Sequence, residues 1–207
     1  PSQSDQSCSS FAQAMALTPS SMLPLGTALP VALLEQELAA GQLVQVSGAP
    51  LDLAALAGEP LLVLFMCAHC PYVKHIEPLM TRLADAAAIV AISSNSTRTH
   101  PADGPEGLRA QAARHGWRFP YLLDGSQQVA RAFAAACTPD PYLFGWDAAQ
   151  GCHTLAYRGQ LDASRPGNDQ PCDGQDLLAA LTALHAGEAP AAEQRPAIGC
   201  NIKWHPS

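Results

Sequence analysis

Two cysteines lie three positions apart in the sequence FMCAHCP, which covers residues 65–71. This Cys-x-x-Cys spacing brings two thiols within bonding distance, so the pair can form and break a disulfide. N–H groups at a helix N-terminus stabilise an anion, and we therefore expect Cys67 to ionise and act as the nucleophile. Cys70 would then resolve the mixed disulfide. His69 lies between them and adds a donor or a positive charge, which favours the thiolate and makes the couple more oxidising.

A metal site is the main alternative for the same residues. Cys-x-x-Cys is also half of a zinc site, with Cys137, Cys200 or a histidine supplying the remaining ligands. A wider set of Cys67, His69, Cys70 and Cys200 would suit copper(I) or zinc, which both bind thiolates. An inert structural disulfide is a third interpretation. The strand-to-helix context and the lack of a second Cys-x-x-Cys in the sequence favour redox chemistry, so we predict no metal and no bound organic cofactor.

The motif lies at the junction of a predicted strand and a predicted helix. Residues 61–66 (LLVLFM) form a continuous apolar run, whose length and lack of alternation predict a central strand covered on both faces. Residues 71–87 predict a helix that begins at a proline. A second proline, Pro78, should kink this helix because it removes a backbone hydrogen bond.

Strands and helices alternate along the rest of the chain. The other predicted strands cover residues 43–46 (an edge strand), 88–92, 119–123, 142–144 and 154–158. The other predicted helical segments are 33–40, a turn over 51–56, a helix that ends near His115–Gly116 after a loop over 99–107, 127–136 and 176–185. This order predicts an α/β fold with a partly parallel sheet.

Composition excludes several classes of protein. Of 207 residues, 48% are hydrophobic and 14% are charged, so the chain has ample apolar mass for a core and is not a disordered chain. No apolar run approaches the ~18 residues of a membrane span. The net charge of −7, without a basic block, argues against binding to nucleic acid or to an anionic membrane. Because no export signal is visible, we expect a cytoplasmic protein, with a cyanobacterial or plastid-like compartment as a variant.

The sequence divides into three segments. They are an extension that we expect to be disordered, a folded domain, and a proline-rich tail, over residues 1–21, 22–186 and 187–207. The tail carries Ile198, Ile202 and Trp204, which avoid water, so we expect the tail to dock on the domain. It also carries Cys200, for which the hypotheses are a third redox thiol, a resolving cysteine, a metal ligand or a packed thiol.

Six stretches of the sequence together resemble one family. They are FMCAHCPYVKHIEP, AISSN, FPYLLD, AACTPDPYLF, YRGQLDASRPGN and IGCNIKW, and they span nearly the whole chain. The sequence resembles the thioredoxin-fold redoxins, and most closely the peroxiredoxin-like proteins of the AhpC/TSA-like group. The resemblance implies a thioredoxin-like fold, with a central mixed sheet flanked by helices, and thiol–disulfide oxidoreductase or antioxidant peroxidase-like chemistry.

The resemblance also implies roles for individual residues. Thr138-Pro139 resembles the cis-proline loop that faces the paired cysteines in this fold, and would leave the backbone of Thr138 free to pair with an extended substrate. Cys137, which precedes the loop, and Cys200 are candidate additional redox thiols. Met66 stands where thioredoxins have tryptophan, and the strand before it lacks the buried acid of thioredoxins.

Three functional hypotheses follow. The leading one is a thiol–disulfide oxidoreductase that acts on a disulfide-containing protein and receives electrons from a thioredoxin-type protein or glutathione. The second is a thiol peroxidase that reduces a small peroxide at Cys70, which precedes Pro71 as in peroxiredoxins, with Arg158 or Arg165 as an active-site cation. The third is a metal-binding or redox-sensing protein without turnover.

The remaining cysteines receive no role from the sequence. They are Cys8, Cys152 and Cys172. Cys152 and Cys172 lie in predicted loops and could pair with each other, but connectivity does not follow from sequence.

Overall fold

The computed structural model describes residues 17–206. Its strands are β1 (Leu17–Pro19), β2 (Leu43–Ser47), β3 (Leu61–Phe65), β4 (Ala88–Ser93), β5 (Tyr121–Asp124), β6 (Cys137–Thr138), β7 (Asp140–Asp147), β8 (Cys152–Tyr157) and β9 (Ile198–Asn201). Its α-helices are α1 (Val31–Ala39), α2 (Pro71–Ile76), α3 (Met80–Ala86), α4 (Pro105–His115), α5 (Gln128–Ala132) and α6 (Gln175–His185). Single 3-10 turns cover Glu77–Leu79 and Pro101–Asp103.

Strand β3 lies at the centre of a six-stranded mixed sheet with the order β2-β5-β4-β3-β7-β8. It pairs in parallel with β4 and antiparallel with β7, and all five of its residues are buried. Burial on both faces explains why its sequence is apolar throughout instead of alternating. The edge position of β2 also agrees with the prediction.

The two faces of β3 contribute to two separate cores. Leu62 and Leu64 pack into a core shared with α2, α3, α4 and α6. Leu61, Val63 and Phe65 pack into the core shared with α1 and α5. Successive side chains of a strand point to opposite faces, so one short strand is fixed from both sides. A central mixed sheet flanked by helices is the thioredoxin-like fold that the sequence implies, and this prediction is confirmed.

The predicted helix over residues 71–87 is interrupted around Pro78. Helix α2 ends at Ile76, a 3-10 turn follows, and α3 begins at Met80. Proline has no N–H to donate to the helical ladder, which accounts for the break. The interruption occurs beside Glu77, a buried carboxylate that is 6% exposed.

Some boundaries differ from the predicted ones. Helix α4 begins at Pro105, inside the predicted loop, because proline is tolerated in the first turn of a helix. Helix α5 has five residues instead of ten, and Ala134 beyond it has a positive φ of 49°. Residues 51–56 contain turns instead of a helical turn, although Asp52 accepts hydrogen bonds from two following N–H groups.

The tail contributes a strand, β9. Strand β9 pairs antiparallel with both β1 and β6 in a second, three-stranded sheet. Ile202 is only 1% exposed, whereas Ile198 and Trp204 are 36% and 38% exposed and do not follow the expectation. The guanidinium of Arg131 lies 4.6 Å from the Trp204 ring centroid, a cation–π contact that a partly exposed ring can make.

Strand β1 lies within the segment 1–21 that the sequence predicts to be disordered. Its backbone pairs with β9, which gives these three residues an ordered position. Residues 1–16 lie outside the described part of the chain. Within the described part, no helix is long and apolar enough to cross a bilayer.

Candidate redox site

Cys70 is fully buried and is the N-cap residue of α2. Its Sγ lies 2.7 Å from the Sγ of Cys200 and 3.3 Å from the carbonyl oxygen of Thr138. Strand β9 of the tail and strand β6 therefore both reach this sulfur.

Cys67 follows the end of β3 by two residues and is also fully buried. Its Sγ lies 3.6 Å from Thr138 Oγ1 and 3.8 Å from His69 Nδ1, and its thiol hydrogen-bonds with Cys70. Thr138 thus contacts one thiol through its hydroxyl and the other through its carbonyl. The fold therefore brings Cys67, Cys70 and Cys200 into one chain of contacts, with Cys70 in the middle.

The three thiols differ in acidity. Hydrogen bonds with Cys200 and Cys67 lower the pKa of Cys70 to about 2, although burial opposes them. The hydrogen bond with Cys70, burial and the charge of Asp103 raise the pKa of Cys67 well above its usual value. The hydrogen bond with Cys70 and burial also raise the pKa of Cys200. These directions favour Cys70 over its two neighbours as the site of a negative charge.

The directions of these pKa shifts favour Cys70 as the thiolate, whereas the sequence predicts Cys67 as the nucleophile, and that assignment stays a prediction. The expectation assumed that Cys67 lies at the helix start, whereas α2 begins at Pro71 and Cys70 is its cap. Cys67 lies three residues earlier, where the hydrogen bond with Cys70, burial and the nearby Asp103 carboxylate raise its pKa.

Asp103 holds the two residues between the cysteines. Its fully buried carboxylate accepts hydrogen bonds from the N–H groups of Ala68 (2.9 Å) and His69 (3.1 Å), from His69 Nδ1 (2.5 Å) and from Asn95 Nδ2 (2.8 Å). Burial raises the pKa of this carboxyl, but the hydrogen bonds from His69 and Asn95 outweigh it and leave the pKa below its usual value. Asp103 is therefore an ionised anchor for the motif.

Sequence reasoning did not find Asp103. It lies in the Pro/Gly-rich segment 99–107, where an aspartate before Gly-Pro is an ordinary turn signal. Its 34-residue separation from His69 carries no pattern, and only the fold brings the two together.

A second polar network lies below Cys67 and was also missed. Gln111 donates to the carbonyl oxygen of Cys67 (3.2 Å) and to Glu77 (2.8 Å), and it accepts a hydrogen bond from the Tyr121 hydroxyl (2.9 Å). His115 Nε2 lies 2.8 Å from the other oxygen of Glu77. The four-residue spacing of Gln111 and His115 along α4 is the one sequence feature that relates two of these residues. Gln111 thus links the backbone of Cys67 to the buried acid Glu77, although β3 itself carries no acid.

The Thr138–Pro139 peptide bond is cis, and Thr138 faces both thiols of the motif. The expectation of a free Thr138 backbone is wrong, because Thr138 pairs with Cys200 in the ladder between β6 and β9. The close approach of these strands requires a glycine at position 199. A Cβ there would lie 2.1 Å from the carbonyl oxygen of Thr138.

The other predicted site residues lie around this centre. Cys137 is buried, its Sγ lies 3.7 Å from the carbonyl oxygen of Pro139, and burial and the charge of Asp140 raise its pKa. Arg165 hydrogen-bonds with Gln160 and lines a small cleft beside Pro139. Arg158 hydrogen-bonds with Gln194. Among residues 17–206, neither guanidinium hydrogen-bonds with a cysteine, so the structure does not place either arginine directly on a thiol.

The structure gathers a different set of possible metal ligands from the one that the sequence suggests. Among the described residues, the ligand atoms of Cys67, His69 and Asp103 lie within 4.8 Å of one another, and the wider set with Cys70 and Cys200 is not gathered in this way. Two thiolates on a tetrahedral zinc ion would be about 3.8 Å apart. The sulfurs of Cys70 and Cys200 are 2.7 Å apart, which favours sulfur–sulfur chemistry over a shared ion.

The structure describes two of the three remaining cysteines, and neither hydrogen-bonds with a motif cysteine. Cys152 opens β8 and Cys172 contacts the carbonyl oxygen of His75, and both are free thiols, so the hypothetical pairing between them is not present. Cys8 lies outside the described residues.

The fold and the paired thiols define a thioredoxin-fold redoxin. Residues 34–160, more than half of the chain, match the model of the AhpC/TSA family. The chain belongs to that family. No protein with a curated description matches this sequence.

Two solved structures resemble the chain over nearly its whole length. An uncharacterized conserved protein from Geobacillus kaustophilus is 39% identical, with a TM-score of 0.81, over 93% of this chain and 98% of that one. A hypothetical protein from Sinorhizobium meliloti 1021 is 34% identical, with a TM-score of 0.77, over 92% of this chain and 100% of that one. In both cases the similarity covers more than nine tenths of this chain.

Proposed function

We propose that this protein is a thiol–disulfide oxidoreductase that cycles Cys67 and Cys70 between a dithiol and a disulfide. The observation that carries the proposal is the placement of two buried cysteines between the end of β3 and the start of α2, with Thr138 in contact with both sulfurs. Cys70 has a lowered pKa and is ready to attack, while Cys67 remains protonated beside it. A Cys-x-x-Cys pair at a strand-to-helix junction supports this chemistry over a metal site.

The exchange begins at Cys70 and ends with a disulfide between the two motif cysteines. The Cys70 thiolate attacks one sulfur of a substrate disulfide, so that a mixed disulfide forms and the other substrate sulfur leaves as a thiolate. That thiolate takes the proton of Cys67. The new Cys67 thiolate attacks Cys70, forms the Cys67–Cys70 disulfide and releases the second substrate sulfur, which takes a proton from solvent. Two electrons have then passed to the substrate.

The dithiol must be restored by an outside reductant. A thioredoxin-type protein or glutathione would do so, and a cytoplasmic location would supply both. Both motif sulfurs are buried, so exchange with a protein substrate requires local opening around them. The His69 side chain, 25% exposed, marks where the motif meets the surface.

Activity and capture together test the proposal. Reduction of insulin disulfides should be lost in both Cys67→Ser and Cys70→Ser and kept in Cys172→Ser, a partly buried thiol outside the motif. A variant with both Cys67 and Cys200 replaced by serine leaves no thiol in contact with Cys70, and should accumulate a mixed disulfide with glutathione at Cys70. Insulin reduction that survives in Cys70→Ser would refute the assignment.

Reduction of a small peroxide is the second candidate, since a low-pKa but buried thiolate is reached more easily by a small substrate. The Cys70 thiolate would attack the peroxide, forming a sulfenic acid and releasing an alkoxide or hydroxide that takes a proton. Condensation with Cys67 would then give the disulfide and water. Peroxide consumption that depends on Cys70, without insulin reduction, would replace the first proposal with this one.

A further inference from the structure

The tail strand β9 occupies the place beside Thr138 where an extended substrate would pair. Its pairing with β6 sets Cys200 opposite Thr138, the residue whose hydroxyl and carbonyl contact the motif thiols. The same register points the Cys200 side chain at the motif, and its sulfur lies 2.7 Å from that of Cys70. A piece of this chain therefore makes the contacts that the site would offer to a substrate cysteine.

The distance between these sulfurs is informative. A disulfide bond is about 2.05 Å long, and the Cys70 and Cys200 sulfurs are only slightly farther apart, at 2.7 Å. Both residues are free thiols in this structure. Their sulfurs are positioned for bond formation without a large movement of either backbone.

The tail is held in this position on both sides of Cys200. Before it, Gly199 allows the close approach to Thr138. After it, the Ile202 N–H donates to the carbonyl oxygen of Ala136 (3.1 Å), and the Lys203 N–H donates to Asn95 (2.8 Å). Asn95 also donates to Asp103, so one side chain contacts both the tail and the carboxylate that holds the motif.

We propose that Cys200 is a built-in exchange partner of the site, so that Cys70 pairs alternately with Cys67 and with Cys200. The proposal rests on the proposed function and deepens it. The thiolate of Cys200 attacks Cys70 in the Cys67–Cys70 disulfide, forms a Cys70–Cys200 bond and releases Cys67 as a thiolate, which takes the proton that Cys200 lost. The step is an isomerisation and needs no further oxidant. It moves the disulfide from the motif to the tail.

Disulfide mapping of the full-length protein tests this step. The reduced protein is treated with one equivalent of diamide, quenched with acid, alkylated and mapped by mass spectrometry. We expect wild type to contain both Cys67–Cys70 and Cys70–Cys200, Cys67→Ser to contain Cys70–Cys200, and Cys200→Ser to contain Cys67–Cys70 alone. Cys137→Ser, a buried cysteine on the strand that pairs with β9, is the matched control and should leave both linkages.

The lifetime of a mixed disulfide tests the same step without disulfide mapping. Oxidised glutathione should form a mixed disulfide at Cys70 in Cys67→Ser, and attack by Cys200 should release the glutathione. Replacing Cys200 as well, by serine or by alanine, should lengthen the lifetime of that mixed disulfide at least tenfold. Circular dichroism of each variant confirms that it is folded.

The outcomes separate the two proposals. The exchange-partner proposal would be overturned if Cys67→Ser forms no Cys70–Cys200 linkage and the glutathione mixed disulfide has the same lifetime with and without Cys200. The oxidoreductase proposal would still stand if wild type forms the Cys67–Cys70 disulfide and reduces insulin. Failure of wild type to form either linkage would overturn the oxidoreductase itself.

Discussion

Asp103 accepts hydrogen bonds from both the main-chain N–H and the ring Nδ1–H of His69, at 3.1 and 2.5 Å. This double contact fixes the ring of a residue that lies between the two motif cysteines. Because Nδ1 carries the donated proton, Nε2 is the ring nitrogen left for contacts outside the motif. A buried carboxylate thus determines both the position and the tautomer of His69.

Replacing Asp103 by asparagine should destabilise the protein and alter Cys67. The amide would turn an NH₂ group toward donors that now meet a carboxylate, and we expect a loss of about 2–3 kcal/mol in the free energy of unfolding. Removing the negative charge should also lower the pKa of Cys67, since that charge contributes to its elevation. Urea unfolding and thiolate absorbance titration measure the two effects. Asp169→Asn, at an exposed position, should change neither.

The acidity of Cys70 should depend on Cys200. In Cys67→Ser, thiolate absorbance should persist from about pH 8 down to about pH 5, where an ordinary thiol with a pKa of about 8.5 is protonated. Replacing Cys200 by serine in the same background should raise the pKa of Cys70, because the largest of the effects that lower it is removed. An unchanged titration would show that this thiol contact does not stabilise the anion.

Gly199→Ala should loosen the tail. The added Cβ would meet the carbonyl oxygen of Thr138 at 2.1 Å, so β9 must move away from β6. We expect a cost of about 3 kcal/mol in the free energy of unfolding, at the upper end for overpacking. Ile198→Ala, at the neighbouring and partly exposed position, should cost no more than about 0.5 kcal/mol. Equal effects of the two substitutions in urea unfolding would contradict the tight contact.

Asp140 should make stability fall as the pH rises. Burial raises the pKa of this fully buried carboxyl from 3.8 to about 6, so the folded state holds a proton that the unfolded state has already lost. The contribution of Asp140 to the free energy of unfolding is therefore greatest below pH 3.8. It decreases by about 3 kcal/mol as the pH rises to about 6.

The Asp140→Asn variant isolates that contribution. It should show a flatter dependence of the unfolding free energy on pH across this window and should be more stable than wild type at neutral pH. Asp85→Asn, at an exposed position, serves as the control and should retain the wild-type slope. A wild-type slope in Asp140→Asn would assign the pH dependence to other groups.

Much of the fold follows from local sequence patterns. The run LLVLFM predicts a central strand because only burial on both faces favours an unbroken apolar sequence, and Pro78 predicts the break in the following helix because it lacks an N–H. The site was predictable where its residues are adjacent, as for Cys67, His69 and Cys70. The register of β9 was not, because the pairing of Thr138 with Cys200 joins strands far apart in the sequence and has no local pattern.

The pKa order of the two motif cysteines was also beyond sequence reasoning. The lowered pKa of Cys70 depends first on a thiol 130 residues away, and the raised pKa of Cys67 depends on Cys70, on burial and on Asp103. Both effects act through space between segments whose separation only the fold determines. A motif can therefore name the reacting residues and still leave open which of them carries the charge.

The position of β9 along the chain has a consequence for synthesis on the ribosome. The strands and helices that hold Cys67 and Cys70 are translated first and can begin to fold as they emerge, whereas β9 is translated after all of them. Until it emerges, β1 and β6 lack the strand that joins them, and Cys70 has Cys67 as its neighbour but not Cys200. The nascent protein thus passes through a stage in which β9 does not cover Cys67 and Cys70. This stage ends when the tail has been translated and has paired with β1 and β6.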